Sequence, residues 1–228
     1  MREHTRGSLE PVHPAAMLAQ ATPTSSDQRE ATRYTLLIRA AKLRCPEGEF
    51  LCIVRDASST GVSIRLFHPL PQQDRMMLEL QNGDLHELEM VWQDGDRAGL
   101  KFLAEADIAR IVECPSRFAK RPIRINLAAQ GTLASLTGSE PVTIHDLSQQ
   151  GAKLTSEARF AIDQRVRLSA PGLPEINAKV RWRDGTSHGL VFEDTLQFGE
   201  LARIAAALQD GAAQCATGRA PMQKRTAC

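Results

Sequence analysis

Residues 92–102 read WQDGDRAGLKF, and residues 182–192 read WRDGTSHGLVF. Both stretches fit the pattern W-x-D-G-x-x-x-G-L-x-F, and they begin 90 positions apart. Alternation of apolar and polar residues around a D-G turn is typical of an antiparallel hairpin. A hairpin that returns at a fixed interval indicates an internal repeat of one small domain.

Two further motifs repeat upstream of these hairpins in the same order. D-x-S-x-x-G occupies residues 56–61 and returns at 146–151, while R-x-x-x-R occupies residues 29–33 and returns at 117–121. We therefore divide the 228 residues into two copies of one domain. The predicted boundaries are a disordered leader over 1–26, domains over 27–114 and 115–210, and a flexible tail over 211–228.

The dominant period within each copy is two residues, which predicts half-buried strands. Met76, Leu78 and Leu80 share one strand face, and Asn82-Gly83 supplies a turn. Several short strands in so few residues predict a mainly β fold of two tandem small antiparallel β-barrels. The same alternation places Trp92 and Trp182 on the inward, core-facing side of their strands.

Each copy closes with a helical pattern. Apolar residues recur at helical spacing over 104–113 and over 197–209, so each barrel is expected to be followed by a C-terminal α-helix that covers it. Cys114-Pro115 should end the first helix, because proline disfavours helical geometry in its predecessor. The polar, small residues after Gln209 predict a tail without regular structure.

Composition excludes several classes of function. The net charge is +1, five cysteines form no C-x-x-C pair, and six histidines show no metal-binding spacing. No G-x-S-x-G, Walker or G-x-G-x-x-G motif is present, so we expect neither an enzyme nor a metal or cofactor site. The N-terminal residues lack an apolar signal core and no run suits membrane insertion, which favours a cytoplasmic protein with reduced thiols.

The combined motifs resemble the PilZ domain family, bacterial receptors for the second messenger cyclic di-GMP. The resemblance covers nearly the whole chain apart from the leader and tail, with both ligand motifs intact in both copies. It implies cyclic di-GMP as the ligand. The implied contacts are Arg29, Arg33, Asp56, Ser58 and Gly61 in the first copy, and Arg117, Arg121, Asp146, Ser148 and Gly151 in the second.

These residue types suit a guanine dinucleotide. Guanine O6 and N7 accept a bidentate arginine, and a guanidinium also pairs with phosphate or stacks on a purine. The aspartates would accept from guanine N1–H and N2–H, and the serines would add hydroxyl bonds. The glycines would supply either a positive φ or a close backbone approach. The sequence does not distinguish one bound ligand molecule from a stacked pair.

The two arginine arms differ in charge. Asp27 and Glu30 sit in or beside the first pair, whereas Lys120 and Phe118 lie within the second. We therefore expect tighter binding at the second site, whose arm also forms the interdomain linker. The leading hypothesis is a receptor that rearranges its domains to regulate a protein partner in motility, exopolysaccharide or biofilm control.

Two alternatives remain open at this point. The protein could be a cyclic di-GMP-responsive DNA-binding regulator, although near-neutral charge and a single tyrosine argue against nucleic acid. It could also be a ligand-independent PilZ scaffold, although both arginine pairs are retained.

Overall fold

A computed structural model of the protein describes residues 34–71, 73–113 and 122–217. In these residues the chain forms two closed six-stranded barrels, and every strand pair is antiparallel. A helix follows each barrel, so the predicted fold class is confirmed. The first barrel has the order β1-β2-β3-β6-β5-β4, from β1 (Tyr34–Cys45), β2 (Gly48–Ser58), β3 (Gly61–Arg65), β4 (Arg75–Leu80), β5 (Leu85–Asp94) and β6 (Arg97–Phe102).

The second barrel repeats this plan after helix α1 (Ile108–Glu113). Its order is β10-β11-β12-β9-β8-β7, and helix α2 (Phe198–Thr217) follows it. The strands are β7 (Ile125–Ser135), β8 (Gly138–Ser148), β9 (Gly151–Thr155), β10 (Arg165–Ala170), β11 (Leu173–Asp184) and β12 (Ser187–Phe192). The D-x-S-x-x-G motifs thus form the β2–β3 and β8–β9 hairpins.

Alternation fills each barrel with apolar side chains, as the sequence predicts. Met76, Leu78 and Leu80 are at most 3% exposed, and the turn glycines Gly83 and Gly95 have positive φ values of 89° and 55°. Positive φ is accessible to glycine at little cost, which explains its use at these turns.

The inward placement predicted for the two tryptophans was wrong. Trp92 is 45% exposed and Trp182 is 41% exposed, because a bulge shifts the register of β5 and of β11 just before each ring. The extra residue turns the side chain to the outer surface. There each indole lies over the glycine opposite it, Gly99 or Gly189. A bare glycine in a strand leaves a surface that an aromatic ring covers well.

Helix α1 begins later than the predicted 104. The Asp107 carboxylate accepts hydrogen bonds from the backbone N–H groups of Ala109 (3.0 Å) and Arg110 (3.4 Å). This is the geometry of a helix N-cap, so the residues before Asp107 stay outside the helix. Ile111 is fully buried beneath the helix. The predicted stop at Cys114-Pro115 lies outside the described residues.

Helix α2 is longer than predicted and lies between the two barrels. It continues through Thr217, so the prediction of an irregular tail after Gln209 was wrong for residues 210–217, whose alanines favour helix. Its apolar face joins the second core, while Ala206 belongs to the first core. Leu51 of β2 in turn packs into the second core. The two barrels therefore share a continuous apolar contact.

Candidate functional site

The serine of each D-x-S-x-x-G motif is buried inside its own turn. Ser148 is 1% exposed and its Oγ donates to the carbonyl of Gly151 at 3.1 Å; Ser58 is 5% exposed and donates to that of Gly61 at 3.3 Å. Each hydroxyl therefore closes a hairpin. A contact between either serine and a ligand stays a prediction.

Gly61 and Gly151 permit close packing of neighbouring strands. A Cβ at Gly61 would lie 2.5 Å from the carbonyl oxygen of Leu100, and one at Gly151 would collide with that of Leu190. Neither glycine is among those with positive φ. Of the two reasons considered for these glycines, close backbone approach is the one observed.

The aspartate of the second motif is paired with an arginine. Asp146 Oδ1 accepts from Arg124 Nη1; the Asp146 side chain is 14% exposed and that of Arg124 is 55% exposed. Asp56 is half-buried at the matching position in the first barrel, opposite Thr35, as Asp146 is opposite Asn126.

An open cavity of about 250 Å³ adjoins the second hairpin. Three cationic side chains, Arg124, Lys153 and Arg181, and the half-exposed ring of Trp182 form part of its wall. Ser148 and Gly151 line it as well. Positive charge beside an aromatic face is the combination that binds nucleotides. The remaining lining residues are Pro122, Gln150, Ala152, Gly189, Leu190 and Val191.

Both halves of the chain match the family model for the PilZ domain, over residues 27–114 and 115–210. The chain belongs to the PilZ domain family. A search of curated proteins found no significant match. Among solved structures, it is similar to the PlzA protein of Borreliella burgdorferi in complex with c-di-GMP (14% identity, TM-score 0.32, covering 74% of this chain and 87% of that one).

Two other solved structures are similar. The Bacillus subtilis inhibitor of motility MotI/DgrA has 12% identity, a TM-score of 0.33 and coverage of 78% and 98%. YcgR from Escherichia coli, in complex with c-di-GMP, has 14% identity, a TM-score of 0.30 and coverage of 78% and 87%.

The first PilZ domain has uncharged residues in place of two of the three cavity cations. In β9 and β11 the strand register pairs each position with a counterpart 90 residues earlier, so Lys153 corresponds to Ser63 and Arg181 to Val91. The tryptophan and the motif turn are common to both domains, whereas the charges of Lys153 and Arg181 occur only in the second.

Sequence reasoning missed Arg124, Lys153 and Arg181. Arg124 immediately precedes β7, just as Arg33 precedes β1 in sequence, and the opening pairs Tyr34↔Ala57 and Ile125↔Leu147 correspond. Matching R-x-x-x-R by its spacing alone selected Arg117 and Arg121 on the segment that enters the strand. Counting back from the strand start would have found Arg124.

The predicted contacts Arg29, Arg33, Arg117 and Arg121 lie outside the described residues, so they stay predictions. Within the described part of the chain, no cluster of three or more potential metal ligands occurs. No helix in that part is long and apolar enough to cross a membrane.

Proposed function

We propose that this protein is a non-catalytic cytoplasmic receptor for cyclic di-GMP and that the cavity of the second PilZ domain is its principal ligand site. The observation that carries the proposal is the meeting of Arg124, Lys153, Arg181 and Trp182 beside the Asp146 motif turn. Guanidinium and ammonium groups bind phosphate, a guanidinium also binds the guanine edge, and an aromatic ring stacks on a base.

Each group in the cavity has a distinct task in this proposal. Lys153 and Arg181 pair with the phosphates, and Trp182 offers a face for stacking. Asp146 accepts from the guanine N1–H and N2–H. Arg124 now pairs with Asp146, and it exchanges that carboxylate for guanine O6 and N7 when ligand arrives.

The size of the cavity bears on how the ligand is held. About 250 Å³ is below the roughly 300–1,000 Å³ of pockets that enclose a small-molecule ligand. The cavity accordingly receives part of the dinucleotide. The sequence-predicted contacts Arg117 and Arg121 are proposed to bind the remainder.

The second site is the tighter one in our proposal. Its cations Lys153 and Arg181 replace Ser63 and Val91 of the first domain, which adds to the charge difference between the two arginine arms. Fewer charge-assisted contacts at the first domain weaken its hold on a dianion. Binding there is expected at higher ligand concentration.

Ligand binding changes the arrangement of the two domains in this proposal, and a protein partner recognises the new arrangement. The second arm is the interdomain linker, so clamping it on ligand alters the path between the barrels. Control of motility, exopolysaccharide or biofilm formation fits such a receptor. Small-angle scattering that shows no change at saturating ligand would contradict this output.

Calorimetric titration with cyclic di-GMP tests the function. We expect binding near micromolar, about −8 kcal/mol. Arg124→Ala should weaken it by about tenfold or more, the value of one charge-assisted contact. Arg167→Ala is the matched control, because Arg167 is an exposed arginine of the same barrel that does not line the cavity and should leave affinity unchanged.

Absence of any heat at high micromolar cyclic di-GMP would reject the receptor and favour the ligand-independent scaffold. Equal affinity in Arg124→Ala and wild type would keep the receptor but remove the assigned site. Cyclic di-AMP provides the nucleotide control, because adenine presents a donor where guanine has O6. Equal affinity for both nucleotides would reject the assigned guanine contacts.

One observation favours a second candidate, a nucleic-acid regulator. The outer face of the second barrel carries six basic residues, although acidic residues elsewhere bring the net charge of the chain to +1. Glu193 and Glu175 pair with only two of them. Ligand-dependent retention of DNA, with affinity that falls steeply with salt, would support this candidate. The six are Lys153, Arg165, Arg167, Lys179, Arg181 and Arg183.

A further inference from the structure

We propose that Lys42 and Glu49 of the first barrel act as positioning residues for Arg124, so that the ligand site of the second barrel is complete only when the first barrel is docked. The inference deepens the proposed function and rests on it. It concerns a buried ion pair that contacts neither the proposed ligand nor the cavity of the second domain.

The pair is nearly inaccessible to solvent. The Lys42 side chain is 7% exposed and that of Glu49 is 11% exposed, with Nζ and Oε2 3.1 Å apart. Glu79 adds a second carboxylate at 3.2 Å from the same Nζ. Charges buried to this degree persist only when their partners are fixed, because an unpaired buried charge is strongly unfavourable.

The remaining hydrogen bonds of the pair reach into the second barrel. Lys42 Nζ donates to the carbonyl oxygen of Arg124 at 3.3 Å. The Glu49 carboxylate accepts from the backbone N–H of Asn126 at 2.7 Å and from its side-chain amide at 3.0 Å. Residues 124 and 126 are therefore both held by the first barrel.

The residue between them is anchored from the other side. Ile125 is fully buried in the second core, and Asn126 pairs across the sheet with Asp146. The backbone that presents the Arg124 guanidinium to Asp146 is thus clamped between the two barrels. Preorganisation of this kind lowers the cost of binding, because the arginine need not be ordered when ligand arrives.

Comparison of the two copies shows that a barrel of this fold closes without these charged residues. Strand register assigns Thr132, Ser139 and Ser169 as the counterparts of Lys42, Glu49 and Glu79. The second barrel closes with three uncharged residues at these positions. The charges occur only in the copy whose surface meets Arg124 and the start of β7, which points to the contact between barrels as their purpose.

Tryptophan fluorescence of the full-length protein tests the inference one site at a time. The chain has two tryptophans, so Trp92→Phe leaves Trp182 as a reporter inside the proposed site. In that background Glu49→Gln, which keeps the shape but removes the charge, should weaken cyclic di-GMP binding about tenfold, a typical coupling between sites. Asn126→Asp, which sets a second carboxylate against Glu49, should act in the same direction.

A double-mutant cycle distinguishes positioning from general damage. If Glu49 acts through Arg124, the loss caused by Glu49→Gln disappears once Arg124→Ala is present. The control is Glu87→Gln, which removes an exposed carboxylate of the first barrel 3.8 Å from Arg75 and should leave affinity unchanged. Thermal denaturation of each variant verifies that it is folded.

The outcomes separate the two proposals. Loss of affinity in Glu49→Gln that is absent in the Arg124→Ala background supports the positioning role. A normal response of Trp182 in Glu49→Gln, or an equal loss with and without Arg124, overturns that role and leaves the receptor intact. No response of Trp182 even in the parent protein overturns both.

Discussion

At the scale of single residues, one extra residue in β5 and in β11 determines where each tryptophan lies. The bulge turns Trp92 and Trp182 outward over Gly99 and Gly189. Strict alternation predicts the opposite face, and the sequence contains no residue that marks a bulge. Once outside, Trp182 forms part of the cavity wall, so a local irregularity places on the surface a ring that alternation assigns to the core.

Gly189→Ala should disturb that surface. A Cβ at position 189 would collide with the indole of Trp182, so the ring must move. We expect a loss of about 1–3 kcal/mol in the free energy of unfolding, as for other overpacked sites, with weaker cyclic di-GMP binding. Ile162→Ala in the same barrel is the control, because Ile162 is 61% exposed and does not line the cavity, so it should change stability and affinity little. Unaltered ligand affinity in Gly189→Ala would show that the ring does not take part.

His188 should make the second barrel sensitive to acid. It is fully buried against the Phe160 ring, and burial lowers the pKa of its imidazole below the ordinary 6.5. Below about pH 6.5 the imidazole is protonated in the unfolded chain, while in the folded chain it stays neutral to a lower pH. The free energy of unfolding therefore decreases as the pH falls. His188→Phe should lessen the decrease in unfolding midpoint between pH 7 and pH 5. An equal decrease in both proteins would contradict this.

At the scale of elements, an ion pair joins the short helix α1 to the barrel. Arg110 donates to both carboxylate oxygens of Asp84, at 2.7 and 3.1 Å, and joins α1 to the β4–β5 turn. The hydrogen bond from Arg110 is the main cause that lowers the pKa of Asp84. The helix has six residues, too few to be stable without tertiary contacts.

Asp84→Asn should loosen α1 while leaving the barrel folded. We expect faster amide hydrogen exchange over residues 108–113, with little change at β2 or β3. Because the pKa of Asp84 is lowered in the folded state, its contribution is present above the ordinary value and is lost as pH falls. The exchange difference between wild type and variant should therefore vanish in strong acid. Unchanged hydrogen exchange over residues 108–113 at neutral pH would show that the Arg110–Asp84 ion pair does not hold α1.

At the same scale, the sequence predicts strands and turns but does not predict which side chains meet at the cavity. Period-two alternation and D-G or N-G turns predict the strands around 76–80 and 92–102, because local backbone chemistry determines them. The cavity cations Lys153 and Arg181 belong to no motif and lie on different strands. Their meeting depends on the register of β9, β11 and β12, which is a non-local property.

At the scale of the whole molecule, the two barrels form one unit through α2. Leu51 of the first barrel lies in the second core, and Ala206 of α2 lies in the first. Gln209 of α2 bonds the backbone of Glu49 in both directions, accepting at 2.8 Å and donating at 2.9 Å. The helical pattern over 197–209 predicts the helix itself, but one apolar stripe cannot reveal that two barrels share it.

Leu51→Ala should therefore affect the joint between the barrels. Truncation of a fully buried leucine costs about 2–5 kcal/mol; here the cavity opens at the contact between barrels. We expect calorimetric unfolding to separate into two transitions. Leu78→Ala, which truncates a fully buried leucine inside the first core and leaves the joint intact, is the control and should lower the single shared transition without splitting it. A single transition in Leu51→Ala would contradict shared cooperativity.

The indole N–H signals of the two tryptophans, followed by nuclear magnetic resonance during titration with cyclic di-GMP, test the central claim most directly. Trp92→Phe and Trp182→Phe assign the two signals without ambiguity. We predict that the Trp182 signal shifts first and saturates, while the Trp92 signal responds only at higher ligand concentration. A spectrum in which neither signal moves at high micromolar ligand would contradict the account.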